Sequence, residues 1–145
     1  MGRMYTLAMR VGRLVEIRVV GALTVEEARA LMGGMIQLLP RLAAGARVLS
    51  CSDLRAARSV STAVAEHMAV LLKGSNARLE RDATLIGDDK VLAMQTARLI
   101  DEAGFDGRRA FPAEEDALAW LAPCANGAEL ARLKQFLIEG RPKTA

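Results

Sequence analysis

Two short stretches near the start of the chain, Tyr5–Arg10 and Leu14–Val20, alternate apolar and polar residues, and from there to residue 121 helical and extended periodicities take turns. Tyr5, Leu7 and Met9 lie on one side of the first stretch, and Val15, Ile17 and Val19 on one side of the second. A period of two with one polar face marks half-buried strands. Val11-Gly12-Arg13 between them reads as a tight hairpin loop, with Gly12 free to take positive φ. An antiparallel hairpin followed by helix–strand repeats leaves few architectures open. The order predicts a mixed α/β sheet of about five strands, opened by that hairpin and covered by about four helices, with a further C-terminal helix.

The first helix is predicted over Thr24–Arg41. Thr24-Val25-Glu26-Glu27 is a capping box, and Ala28, Leu31, Met32, Met35, Leu38 and Leu39 recur at helical spacing. Gly33-Gly34 inside it permits a close approach of another backbone, and Pro40 ends or kinks it. Arg47–Asp53 is the central strand, followed by an irregular stretch over Leu54–Val60. The second helix covers Thr62–Lys73, the next strand centres on Ala83–Ile86, and Asp88 is the expected N-cap of the third helix. That helix is expected to bury Val91, Met94, Ala97 and Ile100. Arg108–Phe111 is the last strand, and Pro112 opens a helix with Glu114, Glu115 and Asp116 in its first turn, where the macrodipole favours acids.

Pro123–Gly127 is the clearest break, dividing a domain over residues 1–122 from a segment over 123–145. Asn126 and Glu129 cap a final helix, Gly127–Glu139, whose Leu130, Leu133, Phe136 and Leu137 share one face. This appendage packs on the domain or on a second copy of the chain as a homodimer.

With 52% apolar residues but only 3% aromatic, the core of this 145-residue chain is aliphatic. The bias toward Ala and Arg suggests a GC-rich, bacterial genome. The net charge of +3 comes from the two ends, since residues 23–122 are slightly acidic. No basic stripe interleaved with aromatics argues for nucleic acid. Cys51 sits in the central strand and Cys124 in a loop, with no Cys/His spacing suited to zinc, as expected of a reducing cytoplasm. No apolar run approaches the roughly 20 residues that span a membrane, and no signal peptide is evident.

In a sheet built from such crossovers, ligands and partners dock at the carboxyl ends of the strands. Asp53–Thr62, Gly87–Asp89 and Phe111–Ala113 arrive there, two of them bringing helix N-termini with free amides. Asp53, Arg55, Arg58, Asp88 and Asp89 are the expected partner surface. Ser59, Ser61 and Thr62 lie at one of these helix starts, where Thr62 or Ser61 suits a plain N-capping role.

Gly21-Ala22-Leu23-Thr24 before the first helix, Val48–Leu54 as the central strand, the closing segment Phe111–Leu121 and the order of elements together resemble the STAS family, the anti-sigma factor antagonist fold, over about residues 5–122. The resemblance implies a non-enzymatic module that binds a partner kinase or regulator and is switched by phosphorylation at the second helix N-terminus. The family pattern there is Asp-Ser followed shortly by Gly. Those first two positions fall on Ser61 and Thr62, so the resemblance puts Thr62 at the phosphoacceptor position, with Ser61 and Ser59 as further candidate phosphoacceptors, and Ala63-Val64 follow where the Gly is expected.

Other residues carry weaker signals. His67, the only histidine, has no nucleophile motif beside it, and Trp120 reads as core. Asp53, Asp88 and Asp89 converging would suit a divalent ion, although caps explain them equally, and no cofactor or metal is called for. The leading expectation is a regulatory protein-interaction module. The alternatives are a carrier of a small hydrophobic, lipid-like ligand, favoured by a cavity between sheet and helices, and a structural dimerisation unit.

Overall fold

The computed structural model describes residues 4–142. They form one five-stranded sheet in the order β1-β2-β3-β4-β5, with β1 (Tyr5–Val11) antiparallel to β2 (Leu14–Gly21). β3 (Val48–Ala57), β4 (Leu79–Ile86) and β5 (Arg108–Phe111) follow in parallel. The helices are α1 (Val25–Leu38), α2 (Thr62–Ser75), α3 (Lys90–Ala103), α4 (Glu114–Leu121) and α5 (Gly127–Glu139). This is the mixed α/β arrangement the segment order predicts. Gly12 turns the hairpin at φ 55°, where a side chain would be strained.

Helix starts follow their capping residues. At α1 the Thr24 hydroxyl accepts from the Glu27 amide at 3.1 Å and Glu27 accepts from the Thr24 amide at 3.0 Å, so the capping box is complete. The same reciprocal pair, Asn126 with Glu129, opens α5. α1 gives way at Leu39-Pro40-Arg41 to a single 3₁₀ turn. The close approach at Gly34 is made by the Leu7 side chain of β1.

Two layers of helices cover the sheet. On one face Ala28, Leu31, Val64 and Leu92 bring α1, α2 and α3 onto Tyr5, Val19 and Ala57. On the other, Ala117, Leu121, Leu133, Phe136 and Leu137 bring α4 and α5 onto Leu14, Leu49, Cys51 and Leu85. Leu133, Phe136 and Leu137 of α5 are therefore packed on the domain's own sheet.

That packing also corrects the reading of the hairpin. Glu16 and Arg18 mark the polar face of β2, yet Glu16 is only 3% exposed. Arg132 of α5 reaches it with both Nε and Nη2, at 2.8 and 2.7 Å, and the Arg18 guanidinium lies 4.1 Å from the Phe136 ring centroid. A charged residue covered by a helix of opposite charge looks the same, in sequence, as one facing water. Trp120 is half-buried, its indole N–H donating to the Asp82 carbonyl at 3.1 Å beside the guanidinium groups of Arg81 and Arg109.

Candidate functional site

The carboxyl edge of the parallel strands differs from the sequence expectation in one respect that reorders the site. β3 does not end at Asp53 but runs on to Ala57, so Leu54–Ala57 is strand and only Arg58–Ser61 is loop. Alternation along the strand then sends Asp53 and Arg55 to the α4–α5 face, while Arg58, Ser59, Ser61 and Thr62 belong to the α2–α3 side.

On the α2–α3 side, Ser61 is the N-cap of α2, its hydroxyl accepting from the Val64 amide at 3.2 Å. Thr62 is the first helical residue and is exposed, with no hydrogen bond to its hydroxyl among the described residues. The N-cap of α3 is Asp89, not Asp88: its Oδ1 accepts from the Leu92 amide and its Oδ2 from the Ser59 amide, both at 3.0 Å. These backbone donors hold the Asp89 carboxyl below the usual carboxylate range. Gln95 adds a second tie, donating to the Val60 carbonyl at 2.8 Å and accepting from its amide at 3.0 Å. Gly87 lets the chain turn into α3 close against β3, since a Cβ there would sit 2.9 Å from the Arg55 Cα. The N-termini of α2 and α3 are thus strapped side by side.

Between the two helices runs an open groove of about 490 Å³, with Ala65 and Ala69 on the α2 side, Val91 and Met94 on the α3 side, and Thr62 at its mouth. Here a second expectation fails. Val91 and Met94 were expected in the core but are 57% and 73% exposed, and Ala97 is exposed beside them; the buried positions of α3 are Leu92, Thr96 and Ala103. Val70 of α2 adds a further exposed apolar side chain at 61%. Sequence reasoning found the apolar stripe and assigned it to the wrong side, and it passed over Gln95.

The expected partner surface therefore divides. Arg58, Asp88 and Asp89 lie with Ser59, Ser61 and Thr62 at the head of the groove, where Arg58 and Asp88 are exposed. Asp53 does not join them: it is 2% exposed and sits beneath α5. Its carboxylate accepts from Arg18 Nε at 3.0 Å, from Arg55 Nε at 2.9 Å and from Arg55 Nη2 at 3.0 Å. Arg55 continues to Glu114 at 2.8 Å and to the Leu137 carbonyl at 2.7 Å, while Arg18 donates to the Phe136 carbonyl. Asp53 and Arg55 thus belong to a buried network that caps the C-terminus of α5. The three aspartates considered for a divalent ion do not converge. Among the described residues, no group of three His, Cys, Asp or Glu side chains is placed to hold a metal.

The two adjacent aspartates can be told apart in solution. Asp89→Ala removes a helix cap and the Ser59 tether together and is expected to lower the thermal midpoint clearly, whereas Asp88→Ala leaves it within experimental scatter. Equal midpoints in the two variants would refute the assigned cap.

No helix among the described residues is long and apolar enough to cross a membrane. No family model matches the sequence, and no curated protein matches it. Among solved structures, the chain is similar to an uncharacterized protein of the DUF3478 family with a SpoIIAA-like fold, from Shewanella loihica PV-4. The two are 18% identical and superpose with a TM-score of 0.61, over 81% of this chain and 93% of that one. This chain has a SpoIIAA-like fold, which is the STAS or anti-sigma factor antagonist fold.

Proposed function

We propose that the chain is a non-enzymatic regulatory module that docks a protein partner, a regulator or a kinase, on its α2–α3 face, and that phosphorylation of Thr62 switches the docking. The observation that carries this reading is the exposed apolar stripe of Val91 and Met94 along a groove whose mouth holds the unengaged Thr62 hydroxyl. Exposed apolar surface gathered on one face of a small domain, rather than scattered singly, is the mark of an interaction site. The straps from Asp89 and Gln95 keep the two helix starts in register, so the surface is formed before a partner arrives.

The proposed switch is electrostatic. A phosphate on Thr62 adds about −1.5 to −2 charges at the rim of a groove where Val91 and Met94 stand beside Glu66, Arg98 and Glu102. The free amides at the start of α2 tolerate that charge, whereas a partner's apolar surface does not. Arg58 and Arg98 are the counter-cations on this side, because the Arg55 guanidinium is already bound by Asp53 and Glu114 on the other face.

A photo-crosslinking side chain at Met94, in cells of the source organism, is expected to give a discrete protein adduct, and one at Glu115, exposed on the α4 side, to give none. Thr62→Glu should reduce the Met94 adduct by about tenfold, the effect of one misplaced charge on a docking surface. A +80 Da species mapping to Ser59, Ser61 or Thr62 in the natively expressed protein is the matching modification. Equal adducts at both positions would remove the docking reading, and an adduct indifferent to Thr62→Glu would remove the switch.

A further inference from the structure

On the α1–α2 side of the sheet lies a partly open cavity of about 90 Å³. One wall is apolar, with Met35 from α1 and Met68 and Leu71 from α2. The sheet supplies a polar floor of Ser50 and Ser52 from β3 and Asp82 and Thr84 from β4, with Arg108 of β5 and Ser75 of α2 at one end. Among the described residues Asp82 and Arg108 are the titratable groups that line it; β2, β3, α1 and α2 contribute none.

Arg108 is 6% exposed, yet its guanidinium meets only neutral partners. Nε donates to Asn76 Oδ1, and Nη2 donates to the Leu72 carbonyl and to Ser75 Oγ, each at 2.9 Å. Among the described residues Nη1 makes no hydrogen bond and no carboxylate forms an ion pair with this side chain. The nearest negative group is Asp82, 4% exposed, whose carboxyl oxygens already accept from Ser50 Oγ and Thr84 Oγ1. Burial pushes the Asp82 carboxyl up and the Arg108 guanidinium down, and the attraction between them offsets this only in part. A buried cation without an adjacent anion is among the costliest arrangements a fold can hold.

We propose that this cavity binds a short-chain carboxylate, its anion on Arg108 Nη1 and its alkyl end against Met35, Met68 and Leu71. Size sets the class: an apolar cavity of about 150 Å³ takes benzene, so this one of about 90 Å³ admits about four heavy atoms, as in acetate, with propionate at the upper limit. Lipid-like ligands need far more, since drug-sized pockets run from about 300 Å³ upward. Water fills the polar floor but finds no partners along the methionine wall and leaves the guanidinium charge unmatched. An inorganic anion matches the charge and wastes the apolar wall. A cation is repelled by Arg108.

The charges predict opposite effects for the two polar residues. An ionised Asp82 competes with the ligand for the field of Arg108, so Asp82→Asn, which keeps the shape, tightens carboxylate binding. Arg108→Met weakens it by about tenfold or more, the loss of one charge-assisted hydrogen bond. The test is an amide NMR titration of the full chain with sodium propionate at constant ionic strength, with 1-propanol and inorganic phosphate as comparators. Saturable shifts are expected at Ser50, Ser75, Thr84 and Arg108 for propionate, with 1-propanol and phosphate at least about tenfold weaker. Should Arg108→Met fail to fold, Asp82→Asn carries the test. The proposal is overturned if propionate gives no saturable shift at any concentration the fold survives, if 1-propanol binds as well, or if Asp82→Asn leaves propionate affinity unchanged or weaker.

Discussion

Phe136→Ala is expected to lower the unfolding free energy by about 3–5 kcal/mol, the range for truncating a fully buried aromatic. Phe136 is 2% exposed and sits among Leu14, Leu49, Leu85, Leu121 and Leu133, drawn from β2, β3, β4, α4 and α5 itself. Truncation leaves a void that these neighbours, fixed in strands and packed helices, fill only in part. It also strips the Arg18 guanidinium of the ring stacked 4.1 Å away. The check is denaturant unfolding at neutral pH, with the slope unchanged so that the shift reports stability. A loss below about 1 kcal/mol, the range of surface substitutions, would mean that α5 docks loosely and could be exchanged for a second copy of the chain.

The sheet and its flanking helices were legible because their signals are local. Alternation over Tyr5–Arg10 and Leu14–Val20, the Thr24–Glu27 box and the Asn126–Glu129 pair each state their structure within a few residues. The resemblance to the STAS family carried the topology, and the fold agrees with it. What failed depends on tertiary contacts. In α3, Val91, Met94 and Ala97 form one helical stripe, while Leu92, Thr96 and Ala103 form another. Hydropathy prefers the first, because Met94 is apolar and Thr96 is not, but the fold buries the second. A stripe of this kind, apolar and outward, is where local pattern and global packing disagree, and such disagreement concentrates at functional surfaces. Likewise nothing in Asp53-Leu54-Arg55 announces that β3 continues through them, since a carboxylate and a guanidinium two residues apart in a strand look like solvated neighbours until a helix end closes over both.

That closure makes Asp53→Ala the second large effect, a loss of about 3–5 kcal/mol at neutral pH from removing one partner of a buried ion pair. Two guanidinium groups, from Arg18 and Arg55, would be left beneath α5 without their shared carboxylate, the Arg55 side chain only 9% exposed. Burial alone would raise the Asp53 carboxyl, but the hydrogen bonds from Arg55 and Arg18 outweigh it and hold the group below its ordinary value. A carboxyl depressed in the folded state contributes stability that is complete above its unfolded value of about 3.9 and is lost as pH falls through its lower folded value. The gap between wild type and Asp53→Ala should therefore be widest at neutral pH and narrow as the pH drops below about 4. Asp53→Asn, which preserves the shape and one acceptor, should lose less at neutral pH. Paired denaturant titrations at pH 7 and pH 3 read this directly. A gap that stays constant between the two would assign the loss to packing alone and deny the two arginines their part in holding the end of α5 to the sheet.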